Sequence, residues 1–222
     1  MNKLLISCVV AASVFGFAQG AAAVTMGLSG AYWDTGGLRS LTAAKAASTG
    51  TATATFLSTA VDYPAGGTRY VNSTTKIVDF LGVDGASLSG SQNTDLAGSV
   101  FRFTGFIYLD AGKNTFNVGS DDGFELTVGE STMKFEYGRY FGRNNLTDRF
   151  DGGWTPIDLM FFENRGAAGF DMRLNGAIVT SLSTRTSDVA LSAAVVPLPG
   201  AMPLLLGAMV GAGFLARRRK TA

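Results

Sequence analysis

Two adjacent aspartates, Asp121 and Asp122, lie between an alternating apolar segment and Gly123. Neighbouring carboxylates repel each other, and burying both of them is costly without a cation. A hard cation relieves that repulsion, and calcium accepts roughly six to eight carboxylate, amide and backbone oxygens. The pair is therefore a candidate calcium site. A second interpretation fits the same residues, namely an Asp-Gly turn whose carboxylates are solvated.

Catalytic chemistry has little support elsewhere in the sequence. The chain contains no histidine, and its one cysteine, Cys8, lies near the N-terminus. These absences argue against zinc sites, cysteine nucleophiles and Ser-His-Asp triads. Glu125 and Glu163 could be considered as the acid and the nucleophile of a glycosidase, but neither lies in a recognisable catalytic motif. We predict that the protein is not an enzyme.

The elements that must position these residues are predicted to be short strands. Residues 100–109 alternate strictly between two faces, and Asn175-Gly176 is a typical two-residue hairpin turn. The fold class is therefore all-β, an antiparallel β-sandwich or barrel, with one short helix at 39–47. The predicted strands are 28–33, 53–57, 76–80, 100–109, 115–119, 124–128, 131–135, 154–162, 170–174 and 177–180. Four aromatic residues follow strand alternation and are predicted to lie in the core rather than to stack on sugars: Trp33, Trp154, Phe161 and Phe162.

Charge separates the middle of the chain from its ends. Residues 24–196 carry 13 Lys and Arg against 17 Asp and Glu, a net charge of about −4. A mildly acidic domain without a basic patch argues against nucleic acid as a partner.

The N-terminus has the three parts of a secretory signal peptide at residues 1–23. Lys3 is followed by an uncharged run over 4–18 and by the small residues Ala21 and Ala23. An N-terminal membrane anchor is the alternative, but the apolar run is short and contains Gly16. We therefore expect export, with residues 24–184 forming the mature domain and residues 185–195 forming a linker.

The C-terminus carries a second segment with membrane character. Residues 189–216 are uncharged, and a transmembrane helix is predicted at about 203–216, starting near Pro203. The basic cluster that follows should remain on the cytoplasmic side of the membrane. It consists of Arg217, Arg218, Arg219 and Lys220. A plain tail anchor shares this topology and differs only in not being processed.

Two long segments, 101–129 and 154–176, resemble the PA14 (protective-antigen-like) domain. They share with it an aromatic-Thr-Gly-aromatic strand, a Ser-Asp-Asp-Gly turn and a Trp-led strand that ends in Phe-Glu-Asn. The opening at 27–33 fits the same family. The resemblance implies a β-sandwich of the kind found in adhesins, toxins, glycosidases and envelope proteins, which often binds carbohydrate.

The sugar-binding branch of that family implies roles for individual residues. Asp121 and Asp122 would be joined by a cis peptide and hold calcium together with Asn164, which follows the Trp-led strand. Backbone carbonyls of the next loop would complete the ligand set, and its side chains would shape the ligand site. The candidate carbonyl donors are Gly166 and Ala168, and the candidate ligand-binding residues are Arg165 and Ala167. A plain turn at 164–166 remains the alternative.

The tail resembles PEP-CTERM sorting signals in their Val-Pro-Leu-Pro-Ala variant, which an exosortase-type membrane protease recognises and processes. The motif residues are Val196, Pro197, Leu198 and Pro199, followed by the apolar segment and the arginine cluster. Gly200 replaces the alanine of the variant.

The sequence thus predicts a calcium-dependent carbohydrate-binding or adhesion module of the cell envelope or extracellular space. A non-catalytic structural protein of the extracellular matrix or biofilm, without a sugar ligand, is the alternative.

Overall fold

The computed structural model describes residues 25–186, which form fourteen strands in two antiparallel sheets. The strands are β1 (Leu28–Asp34), β2 (Ala54–Ser58), β3 (Asp62–Tyr63), β4 (Val71–Asn72), β5 (Ser89–Gly90), β6 (Ser99–Leu109), β7 (Gly112–Asp121), β8 (Phe124–Val128), β9 (Ser131–Phe135), β10 (Gly142–Phe150), β11 (Gly153–Glu163), β12 (Ala167–Leu174), β13 (Ala177–Ile178) and β14 (Thr184–Arg185). The prediction of an all-β, antiparallel fold is confirmed.

Strands β6 and β11 form the centre of the larger sheet. They pair from Gly153 opposite Leu109 to Glu163 opposite Ser99, and the strand order is β5-β2-β1-β6-β11-β8-β9, with β14 also on β6. The second sheet has the order β10-β7-β12-β13, with β3 and β4 pairing with β12. The last strand, β14, ends at Arg185.

Aromatic rings fill the space between the sheets. Phe101 and Phe161 stack with their centroids 6.0 Å apart, and Phe161 stacks on Phe170 of the other sheet at 5.0 Å. Burying each such side chain contributes roughly 1.5–3 kcal/mol. Phe161 and Phe162 are buried as predicted, whereas Trp33 and Trp154 are only partly buried.

The helical segments correct one strand prediction. Helix α1 (Leu41–Ala47) forms within the predicted helical segment and is capped by Ser40, whose side chain accepts from the Ala43 N–H. Helix α2 (Ile77–Leu81) covers residues 77–80 of the strand predicted at 76–80, and a 3-10 helix follows at Gly82–Ser87. The strand prediction was wrong because Ile77, Phe80 and Leu81 are buried at helical spacing.

The hairpin before β13 confirms a turn prediction. Asn175 and Gly176 have φ values of 51° and 90°, the left-handed values that a primed two-residue turn requires. No helix within residues 25–186 is long and apolar enough to cross a membrane. The predicted signal peptide and sorting tail, and all but the first two residues of the predicted linker, lie outside the described residues.

Candidate functional site

The two aspartates lie where β7 passes into β8, at one end of the sandwich. Asp121 is the last residue of β7, and a cis peptide joins it to Asp122. The two residues are 5% and 7% exposed. The interpretation as an Asp-Gly turn with solvated carboxylates is therefore wrong, because both carboxylates are buried.

Backbone groups from two other segments hold the Asp122 carboxylate. Its Oδ1 accepts a 2.9 Å hydrogen bond from the N–H of Arg139, and its Oδ2 accepts a 2.8 Å bond from the N–H of Asn164. Gly138 permits this close approach, because a Cβ there would lie 2.9 Å from Oδ1. Asp122 thus ties the β7–β8 turn to the segment before β10 and to the end of β11.

Burial and mutual repulsion act on the charge of Asp121. Desolvation, together with the neighbouring Asp122 carboxylate, raises the pKa of Asp121 to about 6. A hydrogen bond from the Phe141 backbone and the positive charge of Arg139 oppose the shift. The protein groups nearby therefore compensate the charge of Asp121 only in part.

A third carboxylate, Glu163, lies against the same pair. One oxygen from each of Asp121, Asp122 and Glu163 can be chosen so that all three lie within 4.8 Å of one another. Glu163 is 0% exposed, and neither of its oxygens has a hydrogen-bond partner within residues 25–186. Burial, followed by the charges of Asp122 and Asp121, raises the pKa of Glu163 to about 9.

A surface pocket of about 620 Å³ opens beside the aspartates. It is lined by Asp121, Asp122, Gly138, Arg139, Tyr140, Arg165, Gly166 and Ala167. The structure thus brings together five of the seven residues that the sequence proposed for metal or ligand binding. Of the other two, Asn164 lies on the rim of a smaller adjacent pocket with Arg165, and Ala168 is fully buried in β12.

The loop between β11 and β12 is anchored at two points. The Gly166 N–H donates to Ser73 Oγ at 2.9 Å, and its carbonyl accepts from the Ser73 N–H at 2.7 Å. The Asn164 carbonyl accepts from the Gly98 N–H at 2.8 Å. Arg165 is exposed between these anchors, so its side chain faces solvent at the mouth of the pocket.

Solved structures share this architecture, although no family model matches the sequence and no curated protein does. The PA14 domain of the MpAFP antifreeze protein aligns over 78% of this chain and 96% of its own, with TM-score 0.66 and 22% identity. The PA14 sugar-binding domain from an RTX adhesin aligns over 73% and 99%, with TM-score 0.62 and 24% identity. The fold is that of PA14 domains. The Epithelial Adhesin 6 A domain from Candida glabrata, solved in complex with Galβ1-3GlcNAc, aligns over 75% and 89%, with TM-score 0.57 and 14% identity.

Arg139 is a residue beside the site that the sequence analysis did not identify. Its guanidinium donates to the Ser120 carbonyl at 3.2 Å, to Ser120 Oγ at 2.7 Å and to Asn144 Oδ1 at 2.6 Å. It also lies 4.2 Å from the centroid of the Phe135 ring. Arg139 thus fixes the segment that carries Gly138 and Tyr140 beside the aspartates. Residues this far apart in sequence give no local pattern that could reveal the contact.

The two glutamates considered as a glycosidase pair are separated by the larger sheet. Glu125 lies opposite Met160 in the β8–β11 register and pairs with Lys45 at 2.6 Å on the outer face. Glu163 lies three residues beyond Met160 in β11. Because side chains alternate along a strand, the Glu163 side chain points to the opposite face of the sheet from Met160 and Glu125. The two carboxylates cannot flank one glycosidic bond.

Proposed function

We propose that this chain is an exported, non-catalytic carbohydrate-binding or adhesion module that works through calcium. The observation that carries the proposal is the buried Asp121–Asp122 pair beside an open pocket. The PA14 fold supports it, since structures of this fold include a sugar-binding domain and an adhesin domain in complex with a disaccharide. Calcium would be held by Asp121, Asp122 and Asn164, with Gly166 and Ala168 as carbonyl donors.

The residues present fit calcium. Both aspartates offer oxygen ligands, which hard cations prefer, and neither forms an ion pair with a lysine or arginine among residues 25–186. The pKa of Asp121 is raised first by burial and then by the neighbouring charge of Asp122, which is the charge that a cation would neutralise. The Gly166 carbonyl already accepts from Ser73, but a carbonyl oxygen has a second lone pair. Bound calcium would supply positive charge and open coordination positions for vicinal sugar hydroxyls.

The surroundings of the pair would decide which sugar fits. Arg165 and Ala167 lie at the pocket mouth, where a guanidinium offers several donors to hydroxyl oxygens and a methyl group leaves room for a ring. A volume of about 620 Å³ falls within the usual range for ligand pockets. Arg165 and Ala167 are therefore the proposed ligand-binding residues.

The first test is a calcium titration by calorimetry on the full chain, in a detergent that has no sugar headgroup. We expect one calcium per chain with a dissociation constant in the range of about 10⁻⁵–10⁻³ M. Binding to a glycan array should then require calcium and disappear with EGTA. No binding at millimolar calcium would refute the calcium mechanism and favour the alternative, a structural protein of the extracellular matrix or biofilm.

We also propose that the protein is delivered to the envelope by its two ends. The supporting observations are the tripartite signal at 1–23 and the motif from Val196 to Pro199, followed by an apolar segment and Arg217, Arg218 and Arg219. Deleting the last 27 residues, from Val196 onwards, would remove both the proposed membrane helix and the proposed exosortase site.

This delivery route predicts the fate of a tail variant. Truncation before Val196 should release the protein from the membrane fraction, and replacing all three arginines by alanine should leave an unprocessed, longer chain. Immunoblots of fractionated cells that hold an exosortase would show both results. Identical size and location for the parent and the triple-alanine variant would contradict the sorting proposal and leave the calcium site untouched.

A further inference from the structure

We propose that Glu163 is a third carboxylate ligand of the cation site, reaching the ion from the buried side of the aspartate pair. The inference rests on the proposed function and adds a residue to it. Neither the sequence motif nor the position of Asn164 includes Glu163 among the calcium ligands. The unpartnered carboxylate in the structure is what points to it.

The geometry allows one ion to be shared by three carboxylates. Oxygens that bind calcium lie about 2.3–2.6 Å from it, so two oxygens on the same ion are at most about 5 Å apart. One oxygen each from Asp121, Asp122 and Glu163 meets this limit, with every separation within 4.8 Å. All three residues are buried, and Asp121 and Glu163 are the last residues of β7 and β11.

The surroundings of Glu163 lack the groups that normally neutralise a buried acid. Neither oxygen receives a hydrogen bond within residues 25–186, and no lysine or arginine there pairs with it. Protonation would remove the charge but would leave a buried polar group without a partner, which is itself costly. A cation satisfies both requirements at once.

The strands fix the carboxylate in this position. Glu163 pairs with Ser99 at the end of β6, and Ser99 Oγ is a second buried oxygen-containing group without a partner within residues 25–186. On either side of Glu163, the Phe162 N–H donates to the Gly123 carbonyl at 3.0 Å and the Asn164 N–H donates to Asp122 at 2.8 Å. The backbone that carries Glu163 is therefore tied directly to the aspartate turn.

Three carboxylates around one ion have a consequence for cation choice. Their summed charge of about −3 exceeds that of a divalent ion, so a trivalent ion of similar size is held more strongly. The site should bind terbium more tightly than calcium. Loss of Glu163 should weaken terbium binding more than calcium binding.

The test compares three full-length chains: the parent, Glu163→Gln and the matched control Glu125→Gln. Glu125 is the carboxylate on the opposite face of the same sheet, where it pairs with Lys45. Terbium luminescence and calcium calorimetry are measured on each chain. We expect E163Q to bind calcium about tenfold or more weakly than the parent, and to lose an even larger factor in terbium affinity. The control E125Q should bind both ions as the parent does.

Each result has a distinct meaning. Equal calcium affinity in the parent and E163Q would overturn the role of Glu163 and leave the proposed function intact, whereas no binding in the parent would overturn both. Circular dichroism in EGTA shows whether E163Q folds. If E163Q does not fold, calcium binding is measured on Glu163→Asp instead. This variant keeps the charge but shortens the side chain by one methylene. Parent-like calcium affinity in that variant would overturn the inference.

Discussion

Replacing Asp122 by Asn is expected to weaken calcium binding by about 100-fold or more and to abolish calcium-dependent glycan binding. The change removes one negative charge from the pair, and charge count is a main determinant of calcium affinity. It also disturbs the local hydrogen bonds, because both Asp122 oxygens accept from backbone N–H groups, of Arg139 and Asn164. An amide has only one oxygen acceptor, so its NH₂ group must face one of these donors.

Asp151→Asn is the matched control. Asp151 is an exposed aspartate in the turn before β11 and lies outside the pocket beside Asp122. It loses the same charge without touching the site, and we expect parent-like calorimetry and glycan binding. Thermal unfolding of both variants in EGTA separates a binding defect from a folding defect. Calcium affinity within about threefold of the parent in folded D122N would remove Asp122 from the metal site.

The sequence predicted several strands with nearly their observed bounds, since β6, β8, β9 and β11 match within one residue at each end. Strands β6 and β8 show the alternating burial that sequence alternation predicts. Strand β11 is instead a largely apolar run whose last five residues are all buried. Strand β10 was missed. It is the edge of the smaller sheet, and every one of its side chains is exposed or only partly buried. Such a strand has no apolar face for sequence alternation to reveal.

The candidate site was predictable only in part, for a similar reason. Asp121 and Asp122 are adjacent in sequence, so their repulsion could be recognised before their burial was known. The contact of Asp122 with Arg139 and Asn164 depends on three separate segments. Glu163 follows two phenylalanines in an apolar strand, and only the sheet register shows that its side chain faces the aspartates. Composition and local spacing do not contain that information.

Without calcium, the free energy of unfolding should fall as the pH rises from about 6.5 to about 8.5, by about 1 kcal/mol per pH unit. The pKa of Glu163 is about 9 in the folded protein and has its ordinary value, 4.5, when unfolded. Between these values the native state holds one proton that the unfolded state lacks. Stability therefore decreases with rising pH. Asp121, with its pKa near 6, acts in the same direction mainly at lower pH.

Between about pH 6.5 and pH 8.5, the proton on Glu163 can be measured with little interference from other side chains. The chain has no histidine, and the pKa values of Tyr32 and Tyr63 are raised further above the window. Urea unfolding in EGTA, followed by the fluorescence of Trp33 and Trp154 within the domain, measures the slope. E163Q should be nearly independent of pH and more stable than the parent at pH 8.5. Equal slopes in the two chains would show that Glu163 does not bind this proton.

Saturating calcium should cancel the fall in stability with rising pH, since the ion binds the carboxylates only in their ionised form. The stabilisation that calcium gives equals RT ln(1 + [Ca²⁺]/Kd), and Kd falls as protons leave the site. The gain from a fixed calcium concentration should therefore grow between pH 6.5 and pH 8.5 in the parent. In E163Q the remaining proton competition comes from Asp121, whose pKa lies near the lower edge of the window. A calcium gain that rises equally with pH in both chains would mean that calcium does not displace a proton from Glu163.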